Sequence, residues 1–202
     1  MFCAAGNCVA QGSRLYECGV HLPKRKIRRD YGRKKMSDLV KIIIRQTEIL
    51  FKNLNAQIER CNLDAEIDGI QNARYLFHAI HSLDKWFINP ETFCEPDKTV
   101  TGGIPAELSV IDSKRKGFTQ ANGTHISREQ LLQYAISVEK KIQGYLLTLT
   151  DEKLVERAQD NGKFTRLELI LGQFRHLMWH LGVSSAVTFM HDQTWPEYFG
   201  LD

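Results

Sequence analysis

The sequence lacks several features that would identify common classes of protein. No apolar run in its 202 residues approaches the roughly 20 residues that a membrane-spanning helix needs, so we expect a soluble protein. Only Cys61 and Cys94 fall after the first 36 residues, which is too few for a disulfide framework and typical of a reducing cytoplasm. The basic cluster near the start follows a weak apolar stretch, whereas a signal peptide has the reverse order. These observations predict a cytoplasmic protein.

Sequence motifs for several kinds of chemistry are also lacking. The chain has no glycine-rich phosphate loop and no pattern typical of a nucleophile triad, which argues against nucleotide hydrolysis and serine or cysteine hydrolase chemistry. Positive charge is concentrated in residues 1–36, with nine Lys/Arg against two acidic residues; the remainder has 18 against 22. Residues 37–202 are therefore mildly acidic, and we expect no nucleic-acid partner for them.

The first 36 residues form a separate region in this interpretation. They show no sustained hydrophobic periodicity and end in two basic clusters, so we predict a disordered basic extension. An upstream extension of the true coding start is another interpretation, because a clear helical pattern begins at Met36-Ser37. Two alternatives remain open: the basic cluster contacts nucleic acid or acts as an address, or a metal binds Cys3, Cys8, Cys18 and His21.

Residues 37–202 are predicted to form one all-α domain. Apolar residues recur with helical spacing in four long stretches, and no convincing pair of strands interrupts them. The predicted helices cover about residues 37–60, 68–89, 127–149 and 165–190, with a shorter one at 151–158. Capping boxes mark two starts: Ser127 with Gln130, and Thr165 with Glu168. The proline- and glycine-rich residues 88–125 predict a long crossover between helices two and three of a four-helix bundle.

The main chemical signal lies within residues 174–182 of the last predicted helix. His176 and His180 are four residues apart, about one helical turn, so both imidazoles leave the same side of the helix. That helix is apolar on two sides and should be central to the fold, where an unpaired ring is costly. Coordination of one metal ion would satisfy both rings, although paired histidines at this spacing are also common without a metal.

The second predicted helix offers a third ligand. Beside its apolar stripe lies another face that contains His78, which we take as the natural third ligand, and His81 stays open as a substitute. Three histidines would leave a coordination position for water or substrate, which is typical of reactive rather than structural zinc sites. Glu168 resembles a general base, but its capping-box position explains it. Trp86 and Trp179 are predicted as core or site-wall residues, and solvated positions are predicted for His21, His125 and His191.

Several motifs together resemble the DinB-like family of metal-binding four-helix bundles, which is grouped with YfiT-like metal-dependent hydrolases. The first is residues 75–87, where a histidine is followed by an acid and an aromatic residue. The other matching segments are residues 126–132, 149–154, 165–169, 175–176 and 180–182. The resemblance covers about residues 37–200. One departure is Gly182-Val183, where many members have Gly-Gln, so any role of that glutamine is absent here.

The resemblance implies a fold and a metal site. It implies up-down-down-up connectivity and a divalent metal (zinc, nickel or iron) on His78, His176 and His180. It favours His78 over His81, because Trp86 then falls at the family's aromatic position. It further implies hydrolase or thiol S-transferase activity on a small molecule, such as a low-molecular-weight thiol, and is compatible with a homodimer. The alternatives are a non-catalytic, stress-related protein that binds metal or a small ligand, and a plain helical interaction module.

Overall fold

The regular secondary structure of the described residues is almost entirely helical, as predicted. The structure, a computed structural model, describes residues 37–159 and 162–201. These residues form five α-helices and one short hairpin: α1 Asp38–Arg60, β1 Glu66–Ile67, β2 Ile70–Gln71, α2 Asn72–Trp86, α3 Arg128–Leu146, α4 Asp151–Val155 and α5 Arg166–Asp192. The all-α class is therefore confirmed. The predicted basic extension and its cysteine group lie outside the described residues.

The four long helices share one hydrophobic core. Helix α2 packs against α3 and α5, and α1 packs against the same two helices. Each long helix contributes fully buried side chains, among them Phe51, Phe77, Tyr134 and Ile170. Near the start of α1, Leu39 is 38% exposed, while its neighbour Val40 is buried. No helix in the described residues is both long and apolar enough to cross a membrane.

Two helix starts follow the predicted capping chemistry. The Ser127 hydroxyl accepts the backbone N–H of Gln130, whose side chain accepts the backbone N–H of Ser127 at 2.8 Å. Thr165 and Glu168 form the same reciprocal pair at the start of α5. Ser37 precedes α1 as predicted, but its hydroxyl donates to Asp151 and does not cap the helix. The second capping box fixes the start of the helix that carries two of the candidate ligands.

The predicted start of the second helix, near Asp68, is wrong. Glu66 pairs with Gln71 and Ile67 with Ile70 in an antiparallel hairpin, so α2 begins only at Asn72. Asp68 and Gly69 form its turn with φ of 52° and 71°. Asp-Gly is the dipeptide that suits a two-residue hairpin turn with two positive φ angles, and this local preference prevails over the helical pattern.

The predicted crossover, residues 88–125, contains no α-helix or β-strand. Its one regular element in the structure is a 3-10 helix, Ala106–Ser109, which packs against α2. Its Leu108 side chain is buried in the core. The crossover thus brings backbone carbonyls of its 3-10 helix to α2.

The last described residues of the chain run back along α1. There the Asn53 side chain donates to the carbonyl of Phe199 and accepts from its backbone N–H.

Candidate metal centre

Helices α2 and α5 bring three histidine side chains together. The Nε2 atom of His176 lies 3.1 Å from Nε2 of His180 and 3.4 Å from Nε2 of His78. Their ring centroids are 4.5 to 5.3 Å apart. His180 is almost fully buried, and the other two are half-buried. The predicted ligand set is thus a compact cluster, which could hold a metal ion.

The spacing of the nitrogens suits a metal ion. Two imidazole nitrogens bound at about 2.05 Å in a tetrahedral site lie about 3.3 Å apart, close to both observed Nε2 separations. Without an ion, a neutral ring presents either a lone pair or one N–H at Nε2, so three converging Nε2 atoms cannot each have a hydrogen-bond partner of their own. A cation at their centre would accept all three lone pairs.

The crossover fixes which nitrogen of His78 carries the proton. Nδ1 of His78 lies 2.5 Å from the backbone carbonyl of Ser109, and a carbonyl can only accept, so Nδ1–H donates. In the neutral ring Nε2 then carries a lone pair and points toward His176. A hydrogen bond from the second ring nitrogen to a carbonyl is the usual support of a metal-bound histidine.

All three rings favour the neutral form that a metal ligand requires. Burial lowers the pKa of His78 to about 4, although the hydrogen bond to Ser109 opposes this shift. Burial lowers the pKa of His180 to about 3, with further lowering by the neighbouring His78 and His176. Burial also lowers the pKa of His176. At neutral pH the rings are therefore uncharged and their lone pairs are available.

Aromatic side chains enclose part of the cluster. The Trp179 ring meets the His180 ring edge to face, with centroids 4.6 Å apart, and Tyr75 lies 6.3 Å from it. Trp179 is 60% exposed, so it forms an outer wall and is not a core residue. Nδ1 of His176 and of His180 is buried without a hydrogen-bond partner among the described residues. In these two rings Nε2 alone faces a possible partner, which is what a shared ion requires.

His81, kept as the substitute ligand, lies on a different side of α2. Its Nε2 donates to the carboxylate of Glu95 at 2.8 Å, and its ring packs edge to face against Phe93. One helical turn along, Asp84 accepts hydrogen bonds from Tyr134 and Lys141. These contacts join α2 to α3 and to the crossover, so His81 belongs to a structural network and only His78 reaches the cluster.

The other residues considered in the sequence analysis have structural or solvent-exposed positions outside the histidine cluster. Glu168 is engaged by Thr165 as a cap, and His125 and His191 are exposed, as predicted. Trp86, predicted as a core or site-wall residue, is 39% exposed and so is not a core residue. The Ser109 carbonyl is the functional group that the sequence could not reveal, since any residue supplies a carbonyl.

Comparison with known proteins adds no further assignment. No family model, no curated protein and no solved structure matches this chain. The histidine cluster and the helical fold therefore carry the functional interpretation by themselves.

Proposed function

We propose that this protein binds a divalent metal ion through His78, His176 and His180. The single observation that carries the proposal is the convergence of three Nε2 atoms at spacings that fit one ion. Histidine nitrogens suit zinc, nickel and iron alike, so the donor set does not select among them. A bound ion with three protein ligands supplies Lewis acidity to a molecule that takes a remaining position.

The protein's own residues prepare the site in four ways. The Ser109 carbonyl holds the His78 ring in one tautomer, and the helical spacing of His176 and His180 fixes their separation. Burial keeps the rings neutral. Trp179 and Tyr75 limit access of water to the His180 ring. A site built this way is preorganised, because the ligands need not rearrange when the ion binds.

We further propose membership of the DinB-like, YfiT-like group, with the up-down-down-up four-helix connectivity of that family. The order and spacing of the motifs support it, and so does the packing of α1 and α2 against α3 and α5. On this basis the activity is metal-dependent hydrolysis or transfer of a low-molecular-weight thiol. Both reactions use a Lewis-acidic ion with an open position.

A screen of the metal-loaded protein tests the enzymatic proposal. Ester, amide and electrophile substrates would be offered with and without cysteine-type thiols. We expect turnover that His78→Ala abolishes and His81→Ala retains, since His81 pairs with Glu95 outside the cluster. Equal loss in both variants, with both folded, would contradict the assignment of ligands.

One observation favours a non-catalytic alternative. Within the described residues the ligand cluster contains three histidines and no carboxylate that could serve as a general base. The alternative is a stress-related bundle in which the ion or a small ligand stabilises the helices. Stoichiometric metal, a large loss of thermal stability on chelation and no turnover in the screen would support this second function.

The outer face of α5 supports the proposal of a homodimer. Between Glu168 and His191 the helix has one fully charged residue, Arg175. The exposed apolar side chains on this helix are Leu171, Met178, Trp179 and Met190. A helix that is apolar on every side normally has all its faces covered.

A further inference from the structure

A cavity lies near the start of α2, away from the three clustered histidines. It has a volume of about 350 Å³ and sits between the hairpin, the start of α2 and the end of the crossover. Its walls include Glu66, Arg74, Leu108 and Thr124, and none of the three clustered histidines lines it. The volume is at the lower end of the range for small-molecule sites.

The buried cation in this cavity is Arg74. The residue is only 4% exposed, and its Nε donates to the Leu108 carbonyl at 2.9 Å while Nη2 donates to the Val110 carbonyl at 2.6 Å. Its guanidinium carbon lies 4.8 Å from the centre of the Phe118 ring. Among the described residues no carboxylate oxygen lies within ion-pair distance of it. Among the described residues, the positive charge of Arg74 is therefore stabilised by two carbonyl dipoles and one aromatic ring, and not by an opposite charge.

Part of the guanidinium is left for another partner. Nη1 makes no hydrogen bond to a described residue, yet it is not among the buried polar atoms sealed from solvent. Arg74 is one of the residues that line the cavity, so a ligand there would lie beside its side chain. A buried cation without an opposite charge is costly, and its planar N–H groups match the two oxygens of a carboxylate.

We propose that the cavity binds a small carboxylate-bearing molecule whose carboxylate pairs with Arg74. Glu66, on the hairpin wall, adds negative charge that disfavours ligands with several anionic groups and favours a zwitterion. Apolar wall residues such as Ile70 and Leu108 suit a short aliphatic body. The proposal does not depend on a metal ion, because the Arg74 contacts involve none of the three histidines.

Titration calorimetry of the full-length, metal-loaded protein tests this site, with β-alanine, acetate and inorganic phosphate at constant ionic strength. The key variant is Thr124→Glu, which places a carboxylate on the cavity wall; Thr124→Gln adds the same length without charge. The Thr124 side chain makes no hydrogen bond to a described residue, so both variants should fold. Arg74→Lys keeps the charge but removes the planar set of guanidinium N–H donors, and circular dichroism checks that this variant keeps its helicity. His176→Ala separates this site from the metal centre.

We expect saturable binding of β-alanine, tighter than phosphate, in the native protein and equally in His176→Ala. Thr124→Glu should weaken it about tenfold or more, Thr124→Gln should leave it within about a factor of two, and Arg74→Lys should weaken it. Three results would overturn the proposal: no saturable binding in the native protein, equal binding in Thr124→Glu, or phosphate binding tighter than both carboxylates. Loss of binding in His176→Ala would assign the carboxylate to the metal centre instead.

Discussion

At the scale of single residues, the backbone of Ser109 and the side chain of Arg74 show how the crossover serves α2. Carbonyls of three consecutive residues accept from this helix, with Leu108 and Val110 bound to Arg74 and Ser109 bound to His78. Arg74 and His78 are one helical turn apart, so residues 108–110 of the crossover can bind both side chains. The candidate ligand His78 and the buried cation Arg74 are therefore held by the same segment.

Tyr134 gives a residue-scale prediction that involves pH. Its hydroxyl donates to Asp84 at 2.9 Å, and burial followed by the charge of Asp84 raises its pKa. An unfolded tyrosine ionises near pH 10, whereas the folded one resists ionisation, so the free energy of unfolding should fall as pH rises above about 10. Tyr134→Phe should cost about 1 kcal/mol at pH 7 and reduce the alkaline loss. Urea unfolding at pH 7 and pH 11 measures both, and an unchanged alkaline slope would contradict the role of Tyr134.

At the scale of elements, two glycines should respond to the same substitution with opposite signs. Gly69 has φ of +71° in the hairpin turn, whereas Gly144 lies within α3, and an added Cβ meets nothing within 4 Å at either site. Gly69→Ala should destabilise the protein by about 1 kcal/mol through backbone strain. Gly144→Ala should stabilise it by up to about 1 kcal/mol through helix propensity. Chemical unfolding of both variants gives the comparison, and a shift of the same sign would refute the turn geometry.

The same elements show what could be predicted from the sequence. Reciprocal capping at Thr165 and Glu168 is local chemistry, so it placed the start of α5 and with it His176 and His180. The helical spacing predicted that His176 and His180 share one side of α5, but on α2 it left both His78 and His81 open, and the structure places His78 in the cluster. The Asp68-Gly69 dipeptide is a local signal for a hairpin turn, but the prediction gave more weight to the longer helical pattern. The position of the Ser109 carbonyl depends on how the crossover folds back, which no local pattern encodes.

At the scale of the whole molecule, the exposed face of α5 provides the test of the proposed dimer. Met178→Glu introduces charge into this face. The control, Leu147→Glu, introduces the same charge at an exposed apolar residue at the end of α3, outside the proposed interface. Burying a charge in an apolar interface is costly, so the first variant should be monomeric and the second dimeric. Sedimentation equilibrium distinguishes them. A monomeric native protein, or dimers in both variants, would contradict the proposal.

The metal site remains the central claim, and the metal content of the protein tests it most directly. The protein should be purified without a nickel column or chelator and analysed by inductively coupled plasma mass spectrometry alongside His176→Ala and His191→Ala. His191 is the matched control, because it lies on the same helix but is exposed. We expect about one divalent ion per chain in the native protein and in His191→Ala, with at least a tenfold loss in His176→Ala. A native protein without stoichiometric metal that also fails to bind added zinc, or full metal content in His176→Ala, would contradict the three-histidine site.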